Sequence, residues 1–284
     1  MAGNVYDWTA EALSISVRTV RGYVSYATSN GWFAGVRGND YPTVSHVYGS
    51  RMSLYIPASS GITEKTYVKN GLILHLDGIN NTGNGHNDTS MTWKDLSGNN
   101  NNGTVKGASW LNNGLSFDGI NDYVPIAELN YPEFTVEVTF EASNLVGSEK
   151  GLRIICNHQT GGFDIEINNN SIASYIYING EYKNLTSGSM IEVNKKYNVT
   201  MTTNGSESKL YVNGILISNI TVENGSIGYP LNNTVLALGT NPNGSSAEAQ
   251  YFNGTIYSTR MYNRVLTEQE IKNNYEIDKS RFEI

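Results

Sequence analysis

The sequence predicts a mostly β chain, an antiparallel β-sandwich that ends in a short helix. Three observations favour this fold class. From Leu72 onward, short apolar runs are separated by loops of Gly, Asn and Asp. Residues 134–140 and 163–167 alternate apolar with polar side chains, which is typical of half-buried strands. The composition, with 29 glycines and 19 tyrosines, favours turns and strands over helices.

The chain is predicted to divide near residue 60. The first sixty residues contain a few short strand signals with too little apolar area for a confident core. The stretch Pro57-Ala-Ser-Ser-Gly61 is a break of small residues that is typical of a domain boundary. We therefore expect a small unit at residues 1–60, a linker at 61–69 and the sandwich at 70–284.

Two β-hairpins are predicted inside the sandwich. Strand-like residues flank Asn179-Gly180 and again flank Asn213-Gly214. Asn-Gly supplies the two positive-φ residues of a type I′ turn, whose twist matches the twist of the flanking strands.

A helix is predicted close to the C-terminus. Thr267 is placed to cap it, and Glu270 completes a capping box three residues later. Leu266 and Ile271 have the spacing of a hydrophobic staple across this helix start.

The bulk properties exclude several classes of partner. The net charge is −7 and no run of Lys or Arg occurs, so nucleic acid is not an expected partner. No stretch reaches the ~18 consecutive apolar residues of a membrane span. The single cysteine, Cys156, excludes an internal disulfide, and its apolar neighbours predict that it is buried.

The sandwich region resembles the concanavalin A-like, laminin-G-like jelly roll. The resemblance rests on Asn70-Gly-Leu-Ile-Leu-His-Leu-Asp-Gly78, Trp93-Lys-Asp-Leu-Ser-Gly98, Leu115–Val124 and the closing strand with its capped helix. It covers about residues 68–278 and implies a lectin-type fold. Because one fold hosts many functions, the carbohydrate prediction rests on analogy.

The first 57 residues resemble the C-terminal half of the formylglycine-generating, sulfatase-modifying family, a variant of the C-type lectin fold. The matching motifs lie at Gly3–Trp8, Arg21-Gly22 and Gly49–Arg51. The enzymes of that family use a cysteine pair, and Tyr23–Asp40 contains no cysteine, so we expect no oxidase activity. The family's calcium loop would place Asp7 among the ligands.

Candidate calcium ligands lie at the ends of the predicted strands. Asp77, Asp95, Asp118 and Asp122 all stand in loops rich in Gly and Asn. Carboxylate oxygens suit calcium, but aspartates in such loops also cap turns, and the sequence leaves both roles open. The laminin-G-like resemblance places Asp118 and Asp122 among the plausible ligands, and the spacing does not tell which of the four aspartates meet.

Candidate sugar-binding residues are aromatic side chains beside loops rich in Asn. Trp93, Trp110, Tyr229 and Tyr251 have this setting, and each ring could stack on a pyranose. Trp93 precedes the Lys-Asp-Leu-Ser-Gly motif, so a structural role for this residue is the open alternative.

Glycosidase activity is not expected. The glucanases of this fold carry alternating acidic residues on one strand, and Gly162-Phe-Asp164-Ile-Glu166 is the matching stretch. Gly162 occupies the position of the nucleophile, so Asp164 and Glu166 are interpreted as the solvent face of a strand.

The sequence thus predicts a non-enzymatic protein that binds carbohydrate or another surface ligand, with Ca²⁺ as the expected cofactor. The two lectin-type resemblances favour a phage or prophage tail or virion adhesin that recognises a host cell-surface polysaccharide. Its location would be the virion or the bacterial cell surface, with a homo-oligomer in a larger assembly left open. The alternative is a structural virion or cell-surface assembly protein without sugar binding.

Overall fold

The computed structural model describes residues 9–14, 17–21, 51–55, 65–145, 151–157, 161–229, 235–241 and 250–284. For the first three ranges and for residues 189–190, it describes the backbone alone. The chain divides into two compact units, Met1–Lys65 and Thr66–Ile284. The predicted linker, residues 61–69, contains this division.

The first unit contains one three-stranded antiparallel sheet among its described residues, in the order β1-β2-β3. Its strands are β1 (Thr9–Ser14), β2 (Val17–Arg21) and β3 (Arg51–Tyr55). The resemblance of this unit to the sulfatase-modifying family stays a prediction, because Gly3–Trp8 and Tyr23–Tyr48 lie outside the described residues.

The second unit consists of short antiparallel strands followed by one helix. Its elements are β4 (Leu72–Asp77), β5 (Thr92–Trp93), β6 (Gly103–Thr104), β7 (Ser109–Leu111), β8 (Gly114–Asp118), β9 (Val124–Pro125), β10 (Phe134–Ala142), β11 (Leu152–Cys156), β12 (Phe163–Asn168), β13 (Ser171–Ile178), β14 (Glu181–Met190), β15 (Lys196–Thr203), β16 (Glu207–Val212), β17 (Ile215–Thr221), β18 (Ala237–Leu238), β19 (Asn253–Tyr262) and α1 (Glu268–Phe282).

Two sheets form the sandwich. The eight-stranded sheet runs β17-β16-β15-β10-β19-β8-β7, and β4 also pairs with β19. The six-stranded sheet runs β14-β13-β12-β11-β18-β9, and β5 pairs with β6 separately. The predicted fold class, a mostly β antiparallel sandwich with a C-terminal helix, is confirmed.

The core lies between the two sheets. Phe134, Val136 and Val138 of β10 face Phe163 and Ile165 of β12, and all five side chains are fully buried. The rings of Phe134 and Phe163 lie 4.4 Å apart. Because side chains alternate along a strand, the intervening residues of β10 and β12 point to the outer faces of the sandwich.

Strand β10 is buried on both faces, which corrects the prediction of a half-buried strand. Thr135, Glu137 and Thr139 are buried although they point away from the core. Helix α1 packs over this outer face, where Thr139 Oγ1 donates a hydrogen bond to Asp278 Oδ2 at 2.6 Å. The alternating pattern located the core correctly but could not indicate a helix over the other face.

The predicted caps and turns are confirmed. Thr267 accepts a hydrogen bond from the Glu270 backbone N–H, and the Glu270 side chain accepts one from Thr267, which completes the capping box. Asn213 and Gly214 have φ values of 51° and 73°, as a type I′ turn requires. In the described part of the chain, no helix is long and apolar enough to cross a membrane.

Candidate functional site

The outer face of the six-stranded sheet carries a cluster of aromatic, amide and charged side chains, which we name the tyrosine face. It is formed by β11, β12, β13 and β14. Since Phe163 and Ile165 point into the core, alternation turns their neighbours outward. The tyrosine face consists of Arg153, Asp164, Glu166, Tyr175, Tyr177, Tyr182 and Asn184.

A buried ion cluster lies in the middle of this face. Arg153 Nη1 is 2.8 Å from Asp164 Oδ2 and also contacts the Glu166 carboxylate, which is opposite Arg153 in the β11–β12 pairing. Asp164 and Glu166 are only 0% and 1% exposed. The interpretation of these two acids as a solvent face is therefore wrong, because both are desolvated and share one guanidinium.

Gly162, which holds the position of the glucanase nucleophile, cannot carry a side chain. Its φ is +75°, a value that L residues rarely adopt. A Cβ atom there would overlap the Asn157 side-chain oxygen and the Asn157 carbonyl oxygen. The site has no room for a third carboxylate at this position.

Three tyrosines and one asparagine border the ion cluster. Tyr175 is paired across the sheet with both Asp164 and Asn184, and Tyr177 is paired with Tyr182. The Tyr177 and Tyr182 rings meet edge to face, with centroids 4.8 Å apart. The tyrosine rings are half-buried and Asn184 is exposed, so aromatic and amide groups are available beside the fixed charges.

Tyr182 is held in place through its hydroxyl. The Oη atom accepts a hydrogen bond from Gly161 N at 2.8 Å and donates one to Gly161 O at 3.0 Å. Burial raises the pKa of Tyr182 to about 12. The hydroxyl is therefore neutral at physiological pH, and its ring is fixed by two hydrogen bonds.

The sequence contains a signal for this face in addition to the signal for the hairpin. Tyr175 and Tyr177 alternate with Ile176 and Ile178, which indicates that both tyrosines share the side of the strand that faces away from the core.

The two predicted tryptophans lie at another place in the sandwich. Trp93 is fully buried, and Trp110 packs edge to face against it with centroids 5.0 Å apart. Trp110 Nε1 donates to the Ser90 carbonyl oxygen at 2.7 Å. Trp93 thus has no ring face open for a sugar, and the contacts of Trp110 anchor the loop before β5.

Tyr229 and Tyr251 are both half-buried. Tyr229 Oη donates to the Tyr131 carbonyl oxygen at 2.8 Å, and burial raises the pKa of Tyr229. Tyr229 follows Gly228, whose backbone N–H donates to Tyr177 O, so this tyrosine adjoins the tyrosine face. Ligand contact by either residue stays a prediction.

Asp77 and Asp95 hold loops together. The four acceptor positions of Asp95 receive hydrogen bonds from His75 N, Ser97 N, Ser97 Oγ and Asn101 N. Asp77 accepts from two backbone N–H groups of its loop and contacts Arg281. Since a carboxylate offers about four lone-pair sites, those of Asp95 are all taken up by its loop and by β4, whereas a metal role for Asp77 stays a prediction.

Asp118 and Asp122 lie side by side. Asp122 Oδ2 accepts a hydrogen bond from Asp118 N at 2.8 Å, and Asp118 Oδ1 accepts from Ile120 N at 2.7 Å. Burial and the neighbouring Asp118 carboxylate raise the pKa of Asp122. The pair offers oxygen ligands of the kind that calcium takes.

The described residues contain no group of three or more His, Cys, Asp or Glu arranged to hold a metal ion. Asp7, the remaining candidate ligand, lies outside the described residues. Calcium binding therefore stays a prediction, with Asp118 and Asp122 as its best-placed carboxylates.

Solved structures share this fold. The receptor-binding domain of botulinum neurotoxin D is 21% identical, over 74% of this chain and 53% of that one, with a TM-score of 0.56. The binding domain of Paraclostridial Mosquitocidal Protein 1 is 18% identical, over 75% and 53%, with a TM-score of 0.57. The botulinum neurotoxin serotype D ligand-binding domain in complex with N-acetylneuraminic acid is 21% identical, over 74% and 51%, with a TM-score of 0.56. The chain spans about half the length of these structures, and at such identities the likeness shows the fold alone.

No curated protein sequence matches the chain. The family model described as the concanavalin A-like lectin/glucanases superfamily matches residues 117–272. This match lies inside the region of the laminin-G-like resemblance. Because it covers more than half of the 284 residues, the chain belongs to the concanavalin A-like lectin/glucanases superfamily.

Proposed function

We propose that this protein is a non-enzymatic carbohydrate-binding protein whose sugar site is the tyrosine face. The observation that carries the proposal is the grouping of half-buried Tyr175, Tyr177 and Tyr182 with exposed Asn184 on one sheet surface. Small-molecule sites combine apolar and aromatic walls with a few placed polar groups. This surface has that composition.

The two kinds of side chain have complementary tasks on a sugar. An aromatic ring covers the apolar C–H face of a pyranose, while an amide donates and accepts hydrogen bonds with its hydroxyl groups. The ion cluster beneath Tyr175 fixes the charge and position of the site floor. The neurotoxin domain solved with N-acetylneuraminic acid supports the general ligand class, since it has the same fold.

Two features of the same face support a non-catalytic role. Retaining glycosidases need two separate carboxyl groups, one as nucleophile and one as acid. Here Gly162 has no space for a side chain, and Asp164 and Glu166 both contact Arg153.

The biological setting is part of this proposal. The protein acts as an adhesin of a phage or prophage tail or virion, on the virion or at the bacterial cell surface, and its ligand is a host cell-surface polysaccharide. Calcium held near Asp118 and Asp122 would order the loop after β8. The support for this setting is the pair of lectin-type resemblances in the sequence.

The test is binding of the full chain to host cell-wall polysaccharides and to a neutral and sialylated glycan array. Tyr175→Ala should weaken binding at least about tenfold, or ~1.4 kcal/mol, because it removes an aromatic anchor. Tyr175→Phe should retain most of the affinity if ring stacking dominates. Asn112→Ala, an exposed asparagine in the turn between β7 and β8, is the matched control for Asn184→Ala.

Three outcomes discriminate the parts of the proposal. Saturable binding that disappears in EDTA supports a calcium-dependent lectin. Binding that EDTA leaves unchanged would show that calcium takes no part in glycan binding. Affinity unchanged by both Tyr175→Ala and Asn184→Ala moves the site away from the tyrosine face. Hydrolysis of a bound oligosaccharide would overturn the non-enzymatic assignment.

A structural assembly role without sugar binding is the second candidate function. The observation that favours it is the exposed apolar strand β17. An absence of binding to every host glycan would move the assignment to this alternative.

A further inference from the structure

Strand β17 exposes three consecutive large apolar side chains at one edge of the eight-stranded sheet. Ile215, Leu216 and Ile217 are 65%, 40% and 41% exposed. A bulge in the pairing with β16 leaves Ile217 without a partner across the ladder. Consecutive residues of a strand point to opposite faces, so apolar surface is exposed on both sides of this edge.

The edge has fewer protective features than β7, β9 and β14, three other edge strands of the described sandwich. Edge strands β7 and β9 have three and two residues. Strand β14 is long, but it carries the exposed Glu181 and the ion pair of Lys183 with Glu181. Strand β17 has seven residues and contains no Lys, Arg, Asp, Glu or Pro. Charges, Pro and short length are the usual protection against edge-to-edge pairing, and β17 has only its bulge.

The two ends of β17 carry opposite charge. At its start, the Tyr275 ring packs on Gly214, and Lys279 Nζ lies 5.8 Å from the centre of that ring. Past its end stands the exposed Glu223. A seven-residue strand is about 20 Å long, so the positive and the negative end are well separated.

We propose that β17 is a homodimerisation edge, at which the β17 strands of two copies pair antiparallel about a twofold axis near Ser218. Such pairing places Ile215 of one copy opposite Thr221 of the other and joins the two eight-stranded sheets into one. The twofold also brings Lys279 of each copy to the Glu223 end of its partner. A second copy is the occupant because this strand complements itself in both apolar surface and end charge.

The association is expected to be weak. One strand of backbone hydrogen bonds with three apolar side chains is smaller than a standard interface of about 800 Å² per partner. A dissociation constant on the order of micromolar is the corresponding expectation. Dimerisation through β17 does not depend on sugar binding, and it can be measured without any sugar present.

The test is sedimentation velocity on the full chain from about 1 to 500 µM, a span around the expected micromolar constant. The expected result is a reversible monomer–dimer equilibrium. Ile217→Lys should weaken dimerisation at least about tenfold, since an edge lysine opposes strand pairing. Leu111→Lys is the matched control, because Leu111 is 45% exposed on β7, the edge strand at the other end of the sheet path.

A charge exchange tests the twofold arrangement. Glu223→Lys and Lys279→Glu should each weaken the dimer about threefold to tenfold, and the double variant should restore it. Both residues are exposed, so these variants remain informative if Ile217→Lys fails to fold. The proposal is overturned if the chain stays monomeric at all concentrations. It is also overturned if a dimer forms that Ile217→Lys and both charge variants leave unchanged.

Discussion

The outer faces of the two sheets carry the same chemistry in different surroundings. On the eight-stranded sheet, Arg260 lies between Glu137 and Asp278, with all three side chains at most 1% exposed. On the six-stranded sheet, Arg153 lies between Asp164 and Glu166, and the Arg153 side chain is 11% exposed. Both faces thus place one guanidinium between two carboxylates.

Helix α1 makes the difference between these faces. It supplies Asp278, which receives two hydrogen bonds from Arg260, and Asn274, whose amide donates to Glu137 and accepts from Val68 N. Although burial opposes ionisation, the Arg260 charge holds the pKa of Asp278 below its usual value. The first face is sealed and serves stability, whereas half-buried tyrosines border the second. A guanidinium shared by two carboxylates can therefore be covered by a helix or lie beside half-buried aromatic rings, depending on its neighbours.

The largest expected effect is that of Arg260→Ala. Removing this guanidinium leaves Glu137 and Asp278 buried without their cation, and breaking a buried pair costs about 3–5 kcal/mol of unfolding free energy. Urea unfolding followed by circular dichroism measures the loss. Arg264→Ala is the control, because its ion pair with Glu270 is partly exposed and should cost at most ~1 kcal/mol. Equal losses of unfolding free energy for the two variants would contradict the burial of the ion cluster beneath α1.

The next effect is a loss of stability in mild acid that comes from His75. Burial and then the Arg260 charge lower the pKa of His75 from 6.5 to about 4. Arg281, Asp77 and Asp278 also act on this ring, and the Tyr67 ring packs against it.

A folded-state pKa below the unfolded value means that the neutral form is the stabilised one. The stability is present above pH 6.5 and is lost as pH falls through about 4, a total of about 3 kcal/mol. Unfolding of the parent chain and of His75→Gln should therefore differ in slope across this window. The exposed His86, changed to Gln, is the control. If the unfolding free energies of the parent and of His75→Gln change with pH in parallel, the prediction is wrong.

A smaller stability effect is expected from Arg153→Ala. Its two partners are as deeply buried as those of Arg260, but the Arg153 side chain is itself 11% exposed, so water can enter the space it leaves and a cost of about 1–3 kcal/mol is expected. The same variant should lose glycan binding, whereas folded Arg260→Ala should retain it. Unfolding curves and glycan titration together measure both quantities. A glycan affinity that Arg153→Ala leaves intact would remove the ion cluster from the binding surface.

Much of the fold followed from local sequence patterns. The Asn213-Gly214 turn and the Thr267 cap were predicted and confirmed because each depends on residues that are neighbours in sequence. The superfamily was also recognised from short motifs, and residues 117–272 match its model.

The surroundings of the candidate site residues could not be predicted from local patterns, for a physical reason. Trp93 and Tyr175 are both aromatic residues with polar neighbours in the sequence. In the structure, however, Trp93 is fully buried and Tyr175 is half-buried. Asp95 has the sequence setting of a metal ligand, but backbone groups from its own loop and from β4 take up its lone pairs. Burial and hydrogen-bond saturation depend on elements distant in sequence.

The sequence by itself determined the fold class, the turns, the capped helix and the absence of a side chain at the nucleophile position. Only the tertiary structure decided that Glu137 lies beneath α1, because this depends on where residues 137, 260 and 278 meet. It also decided that Tyr175 stays at the surface. Local propensity acts over a few residues, whereas the environment of a charged or aromatic side chain is set by which sheet and helix pack upon it.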